Sequence, residues 1–343
     1  ILDDLTPLHQ ITEQVAQASS YLFKPGPTYR LLRPRRPSRA RPGKNYERAS
    51  GDVVTFYETR TADGEVRRAY LNAGTNPPDG VVVTYYLANE PDGEVSLTFL
   101  DPRGEMIKAF SSSAPTATGS RITAKIGTNR FVWDMRYPGA RAIQQAAGLT
   151  ELESPSPIAP VAPPGTYQVR LSVAGQVQTQ TFEIRKDPRL SATQEDLDEQ
   201  FALHIKIRDK FSETNDFISR IGRLRAQAKD WQNRVHGIPG ASDVTEAVEK
   251  LEQKLVPIEG ALVRIIGPNP MNLPPKGLNV KLAALTSVLV SADSLPTRQS
   301  YDVFNDLSAR IDEQVGKLPQ IIETDVADIT RLVTRMNMPV IGE

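Results

Sequence analysis

In the first half of the chain, apolar residues fall at every second position in short runs; in the second half they return every third or fourth position. A period of two marks strands with alternating faces, and the longer spacing marks one side of a helix. Strands are predicted at 53–57, 81–87, 95–99, 105–110, 121–126, 129–135, 166–174 and 177–184, with Ala174-Gly175-Gln176 closing a hairpin. Pro91-Asp92-Gly93 and Asp101-Pro102-Arg103-Gly104 have turn composition. Short strands at this spacing predict a β-sandwich over 51–187, with the Pro-, Ala- and Gly-rich stretch 138–163 as a loop inside it.

From 190 to 338 the pattern is helical. Ser191 followed three residues later by Gln194 forms a capping box, and Ile207, Phe211, Thr214, Ile218, Ile221, Arg225, Ala228 and Val235 share one stripe until Gly237-Ile238-Pro239-Gly240. Val244, Val248, Leu251, Leu255, Ile258, Leu262 and Ile265 form a heptad-like seam that Pro257 should kink. Leu278, Leu282, Leu285 and Leu289 mark a third helix. A fourth, with Ser294 as candidate cap, starts near Pro296 and carries apolar positions from Tyr301 to Met336, with a kink expected at Pro319. The first and last helices would each be about 60 Å long, which predicts an elongated antiparallel bundle of three to four helices.

The first 50 residues predict an irregular arm. A short amphipathic helix is expected at 7–18 with Thr6 as its cap, and five prolines between Pro25 and Pro42 rule out a regular helix beyond it. The arm is basic: Arg30, Arg33, Arg35, Arg36, Arg39, Arg41, Lys44 and Arg48 are candidate polyanion contacts, with Glu47 the only acid between them. Tyr29 and Tyr46 could stack on bases. The plainer reading is an extended segment crossing an acidic surface of its own protein. The 41 basic residues of the whole chain are balanced by 41 acidic ones, so no global field steers it to nucleic acid, which is not expected as a partner.

Chemistry is thin elsewhere. The chain of 343 residues has no cysteine, which excludes thiolate catalysis, Cys-bound metals and disulfides. Its three histidines, His9, His204 and His236, lack metal-ligand spacing. His204 reads as packed or solvated on a helix face, and His236 as a helix-end cation. Asp79, Asp92 and Asp101 read as turn residues before calcium ligands. Asp134 is the best candidate for a buried carboxylate, and pairing with Arg136 or a loop amide is the role expected of it before glycosidase chemistry. No cofactor, metal or catalytic residue is predicted. No apolar run reaches the length of a membrane span. The chain does not begin with Met, and Ile1-Leu2-Asp3-Asp4 reads as the middle of an element, so a longer parent protein is expected.

Several segments together resemble a family. Residues 1–8 look like the exit from a last propeller blade, and 76–87 resemble the strand that follows the propeller in bacterial sortilin-like, BNR-repeat exported proteins. Asn129-Arg130-Phe131-Val132-Trp133-Asp134-Met135-Arg136-Tyr137-Pro138 and Pro163-Pro164-Gly165-Thr166-Tyr167 resemble the next domain, itself similar to the Ig-like domain of flagellar hook-capping proteins. Lys186-Asp187-Pro188-Arg189 with 201–215 resembles the helical tail. The resemblance implies an α+β multidomain chain: an arm over 1–50 following an absent propeller, an Ig-like antiparallel sandwich over 51–187 and a helical bundle over 190–338. It also implies export and a non-catalytic accessory role. The partner it implies is the propeller of the same protein; a second copy or another protein bound through the bundle is the reading the helical pattern itself offers, beside seams that simply bury one another. Two alternatives stay open: a glycoside hydrolase-like parent with its site in the propeller, and polyanion binding through the arm.

Overall fold

Alternation buries Val81, Val83, Tyr85 and Leu87 on one face of a strand, and by the same rule Val95, Leu97 and Phe99, then Tyr167, Val169 and Leu171. These residues belong to one core, closed by two sheets. The computed structural model describes residues 5–31, 40–49, 52–60, 66–74, 77–115, 121–144, 152–153, 155, 157–265 and 275–336. The strands are β1 (Ser20–Leu22), β2 (Thr28–Arg30), β3 (Gly43–Ala49), β4 (Asp52–Arg60), β5 (Val66–Tyr70), β6 (Val81–Leu87), β7 (Val95–Leu100), β8 (Met106–Ser111), β9 (Gly127–Trp133), β10 (Gly165–Val173) and β11 (Gln176–Lys186). One sheet has the order β1-β6-β9 and the other β2-β11-β10-β7-β8; only the β2–β11 pairing is parallel. A third antiparallel sheet has the order β3-β4-β5.

The sandwich core is aromatic. Phe99 of β7 stacks on Trp133 of β9 with ring centres 4.5 Å apart, and Tyr167 stacks on Phe182 at 5.9 Å. Their polar tips are satisfied locally: Trp133 Nε1 donates to Arg136 O at 3.3 Å and Tyr167 Oη to Pro163 O at 2.8 Å. Gly80 enters β6 with φ +152°, where an added Cβ would lie 2.2 Å from Trp133 O. The β10–β11 hairpin turns through Ala174 (φ 47°) and Gly175 (φ 80°), a two-residue turn whose twist matches the strands it joins.

Three segments differ from expectation. Residues 121–126 form no strand; Arg121 makes an isolated bridge to Ser111, and Ile122 is buried in the sandwich core. The helix expected at 7–18 is instead a 3-10 turn at Leu8–Gln10 followed by α1 (Glu13–Gln17), capped by Thr12 rather than Thr6. Gln10 is held across the break because its side chain donates to Lys24 O and accepts from Lys24 N, at 2.9 and 2.8 Å. The arm read as irregular carries β1, β2 and β3. The polar strand β3 lies on a sheet edge, where charged side chains are tolerated and the apolar period disappears.

The chain divides into two compact units, Ile1–Pro138 with Val161–Gln194, and Gly139–Pro160 with Glu195–Glu343. The second is helical. It contains α2 (Gln194–Val235), α3 (Ser242–Leu262), α4 (Leu278–Leu289), α5 (Arg298–Val315), α6 (Leu318–Ile321), a π-helical turn (Ile322–Val326) and α7 (Ala327–Arg335). The helix α2 begins at Gln194, later than a Ser191 cap would place it, and its 42 residues span about 63 Å. Thr297, not Ser294, caps α5.

Side-chain pairs give the directions of the helices. Arg225 of α2 bonds Glu252 of α3 at 2.7 Å across a short connection, so these two helices are antiparallel. Gly277 then packs its backbone against Val263, and Gln200 near the start of α2 donates to Leu289 O at the end of α4, at 2.9 Å. The helix α4 therefore continues the downward course of α3. Tyr301 bonds Glu199 and Lys210 bonds Asp312, each pair 102 residues apart, so α5 runs parallel to α2. Lys254 of α3 meets Asp325 of the π-helical turn at 2.6 Å. The unit is an up-down-up bundle of three rods, the second broken between α3 and α4 and the third tightened, with its helical backbone kept, at Gly316-Lys317.

Gly80→Ala should destabilise the sandwich by about 3 kcal/mol, because a new Cβ meets a backbone oxygen that cannot yield. An unchanged melting temperature for this variant would contradict the close approach. Asp187, which follows β11, accepts from the Arg189 guanidinium at 2.6 Å and from Arg189 N at 3.0 Å. These bonds hold its carboxyl down to about 2 from an ordinary 3.8. A depressed carboxylate adds stability that is complete above about pH 4 and disappears as pH falls through 2. Urea titrations across that window should show a shallower acid limb for Asp187→Asn than for the unsubstituted chain; parallel curves would remove this role.

Candidate functional site

The long helix α2 buries a polar series that the apolar pattern conceals: Gln200, His204, Ser212, Asn215 and Ser219. Their spacing follows one helix face. Buried polar groups need partners, and many of theirs come from the described residues of Gly139–Pro160, a non-helical strap that belongs to the helical unit. Arg141 N donates to Ser212 Oγ at 3.1 Å, Asn215 Nδ2 to Arg141 O at 2.7 Å, and Gln144 N to Ser219 Oγ at 2.9 Å. Each serine hydroxyl also donates back to the helix, Ser212 to Arg208 O and Ser219 to Asn215 O. Arg141 pairs with Asp216 at 2.6 Å, and Asp216 raises its pKa above the ordinary arginine value. Further along, His204 Nε2 lies 2.8 Å from Ile158 O, and Glu153 N donates to Arg264 O at 2.9 Å.

The strap occupies the lower half of α2. Higher up, the bundle is open beside its interruptions. Pro257 sits inside α3 without an N–H, so the carbonyl of Gln253 loses its helical donor. Opposite, the third rod tightens at Gly316-Lys317, where Lys317 N bonds Gln314 O at 3.2 Å, carries Pro319 in the first turn of α6, and widens into the π-helical turn. Between these irregularities lies a groove of about 470 Å³ lined by Gln253, Lys254, Pro257, Ile258, Gln314, Lys317, Gln320, Ile321, Thr324 and Asp325. π-Helical turns recur at functional sites because they re-aim side chains and leave backbone groups unpaired. Lys254 and Asp325 close one side of the groove. Burial pushes the Asp325 carboxyl up, but bonds from Lys254 and Thr324 outweigh it and hold the group below its ordinary value. Above the groove, Arg225 bridges Glu252 and the buried Glu259, whose carboxyl is raised by burial in spite of the arginine.

The candidate polyanion contacts are not all brought together. Arg30 is buried in β2 and donates to Ala162 O at 3.5 Å, so it offers no open cation. Arg41 is exposed beside β3, and Lys44 and Arg48 are exposed on that strand; Arg33, Arg35, Arg36 and Arg39 lie outside the described residues. Asp134 is half exposed, not buried, and pairs with Arg136 at 3.8 Å while accepting from Arg136 N at 3.2 Å. Asp101 accepts from Arg103 N and Glu105 N and closes its turn. His9 and His236 are exposed. Among the described residues, no group of three or more His, Asp or Glu is placed to hold a metal ion, and no helix is long and apolar enough to cross a membrane.

Sequence reading missed the polar series of α2 because hydroxyl and amide side chains on a helix read as solvent-facing. Their recurrence at 200, 204, 212, 215 and 219 was the available signal. No family model matches the chain, and no curated protein aligns with it.

Ser219→Ala should remove the acceptor for Gln144 N while leaving the helix intact. Native-state hydrogen exchange at Gln144 should accelerate by roughly tenfold, the equivalent of one net hydrogen bond. Unchanged exchange would show that the strap is held elsewhere.

Proposed function

We propose that this chain is a non-catalytic interaction region whose helical unit binds a protein segment in the groove beside Pro257. The observation that carries the reading is the coincidence of three irregularities around that groove: a proline within α3, a tightened turn at Gly316-Lys317 and a π-helical turn. Each is a local departure from helix regularity on a face that continuous helices would close. A polar lining with Ile258 and Ile321 beneath it suits a mixed polar–apolar segment.

The wider context we propose is the C-terminal accessory region of an exported sortilin-like, BNR-repeat propeller protein, with the sandwich belonging to the Ig-like kind. Support comes from the resemblance of 76–87 and 129–138 to that family, and from the buried Trp133 at the centre of two antiparallel layers. In that setting the sandwich seats against the propeller and the bundle presents the groove.

A second copy of this chain is the first occupant to test. Light scattering after size exclusion, over a wide concentration range, should show mass rising with concentration. Gln320→Trp, which fills the groove, should hold the protein monomeric. A strict monomer at every concentration, or assembly untouched by Gln320→Trp, would refute self-association through this groove.

A further inference from the structure

The sheet β3-β4-β5 has two unlike faces. On one, Phe56 and Glu58 are buried, Glu58 bonds Arg68 at 3.2 Å, and the Arg68 guanidinium lies 4.9 Å from the centre of the Phe56 ring. On the other, large side chains stand open: Tyr46 is 67% exposed, Tyr57 45%, Val53 51% and Leu71 55%. The register sets Lys44 opposite Tyr57, Tyr46 opposite Thr55 and Arg48 opposite Val53. Lys44 Nζ lies 5.5 Å from the centre of the Tyr46 ring. Arg41 is fixed beside the strand because Asn45 bonds both its N and its O, at 3.0 and 2.7 Å. By alternation, Glu47 and Glu58 lie on the covered face. Among the side chains described, the open face therefore combines two cations and two phenol rings with two aliphatic side chains, and neither of these glutamates shares it.

We propose that this open face binds an acidic polysaccharide, a chain of pyranose rings carrying a carboxylate on every sugar or every second sugar. Tyr46 and Tyr57 are diagonal neighbours across the β3–β4 ladder, about 7–8 Å apart. The negative faces of their rings attract the positively polarised C–H groups on the flat side of a pyranose. Lys44 and Arg48 flank the rings and meet carboxylates, Arg48 in a two-pronged geometry. Charge density selects this ligand over a nucleic acid strand. A nucleic acid brings a phosphate at every residue, whereas this face intersperses few cations among uncharged groups, on a chain with no net charge to draw a dense polyanion from a distance. The inference is independent of the helical groove: it concerns other residues and survives if that groove binds nothing.

Affinity electrophoresis of the full chain through gels containing polygalacturonate tests it, with gels containing a neutral glucan and a solution assay with oligo(dT) as comparisons. The unsubstituted chain should be retarded by polygalacturonate and not by the glucan. The double variants Tyr46→Thr/Tyr57→Thr and Lys44→Gln/Arg48→Gln should each bind roughly tenfold more weakly. All four positions are exposed, and threonine and glutamine keep the strands polar and extended, so melting curves should be retained. Added salt should weaken binding of the tyrosine variant and barely affect the charge variant. Absence of retardation, equal retardation by the glucan, undiminished binding by either variant, or tighter binding to oligo(dT) would each overturn the proposal.

Discussion

A buried hydrogen-bonding group must find a partner, and α2 carries five such side chains along one face. That demand organises the helical unit. An apolar neighbour could cover the same surface, but it would leave the Asn215 amide and the His204 imidazole without these partners, at about 1–3 kcal/mol for each group stranded. The strap answers much of the demand through backbone N–H and C=O groups, the Leu289 and Ala292 carbonyls take Gln200, and Asn215 Oδ1 is left without a hydrogen bond. The serines accept from the strap and donate to their own helix, so one hydroxyl satisfies both neighbours.

The sandwich solves the opposite problem. Its core is built from rings, and the polar tips of Trp133 and Tyr167 are satisfied by carbonyls three or four residues away in sequence. The bonds of these two ring tips are local, whereas between the strap and α2 they reach across 71 to 75 residues. This difference explains what was legible. The strands β6, β7, β9, β10 and β11 and the helices α2, α3 and α4 were evident because burial writes its period directly into neighbouring residues. Arg121–Ile126 misled because β-branched residues there bury a side chain without joining a ladder.

The edge strand β3 and the strap left no apolar period to read. Strand β3 reads Gly43-Lys44-Asn45-Tyr46-Glu47-Arg48-Ala49, largely charged and polar, as a sheet edge exposed to solvent permits. The strap pairs through backbone groups, which every residue possesses, so its sequence could show only that it was not a helix. Of the candidate site, Pro257 was visible as an interruption, but the groove beside it depends on α3 lying against the third rod, a pairing marked by Lys254 with Asp325 that no local pattern encodes. The basic run appeared as one cluster in sequence; strand pairing separates the buried Arg30 from the open Lys44 and Arg48.

The strap is made before the helix that holds it. Its acceptors on α2 and its contacts at Arg264 and Thr286 emerge from the ribosome only after β10 and β11 have been synthesised. While the nascent sandwich pairs its strands, Gly139–Pro160 must therefore wait as an open excursion with its backbone in water. The sandwich can mature in translation order; the bundle cannot, because one of its constituent pieces lies upstream and is recruited backwards along the chain.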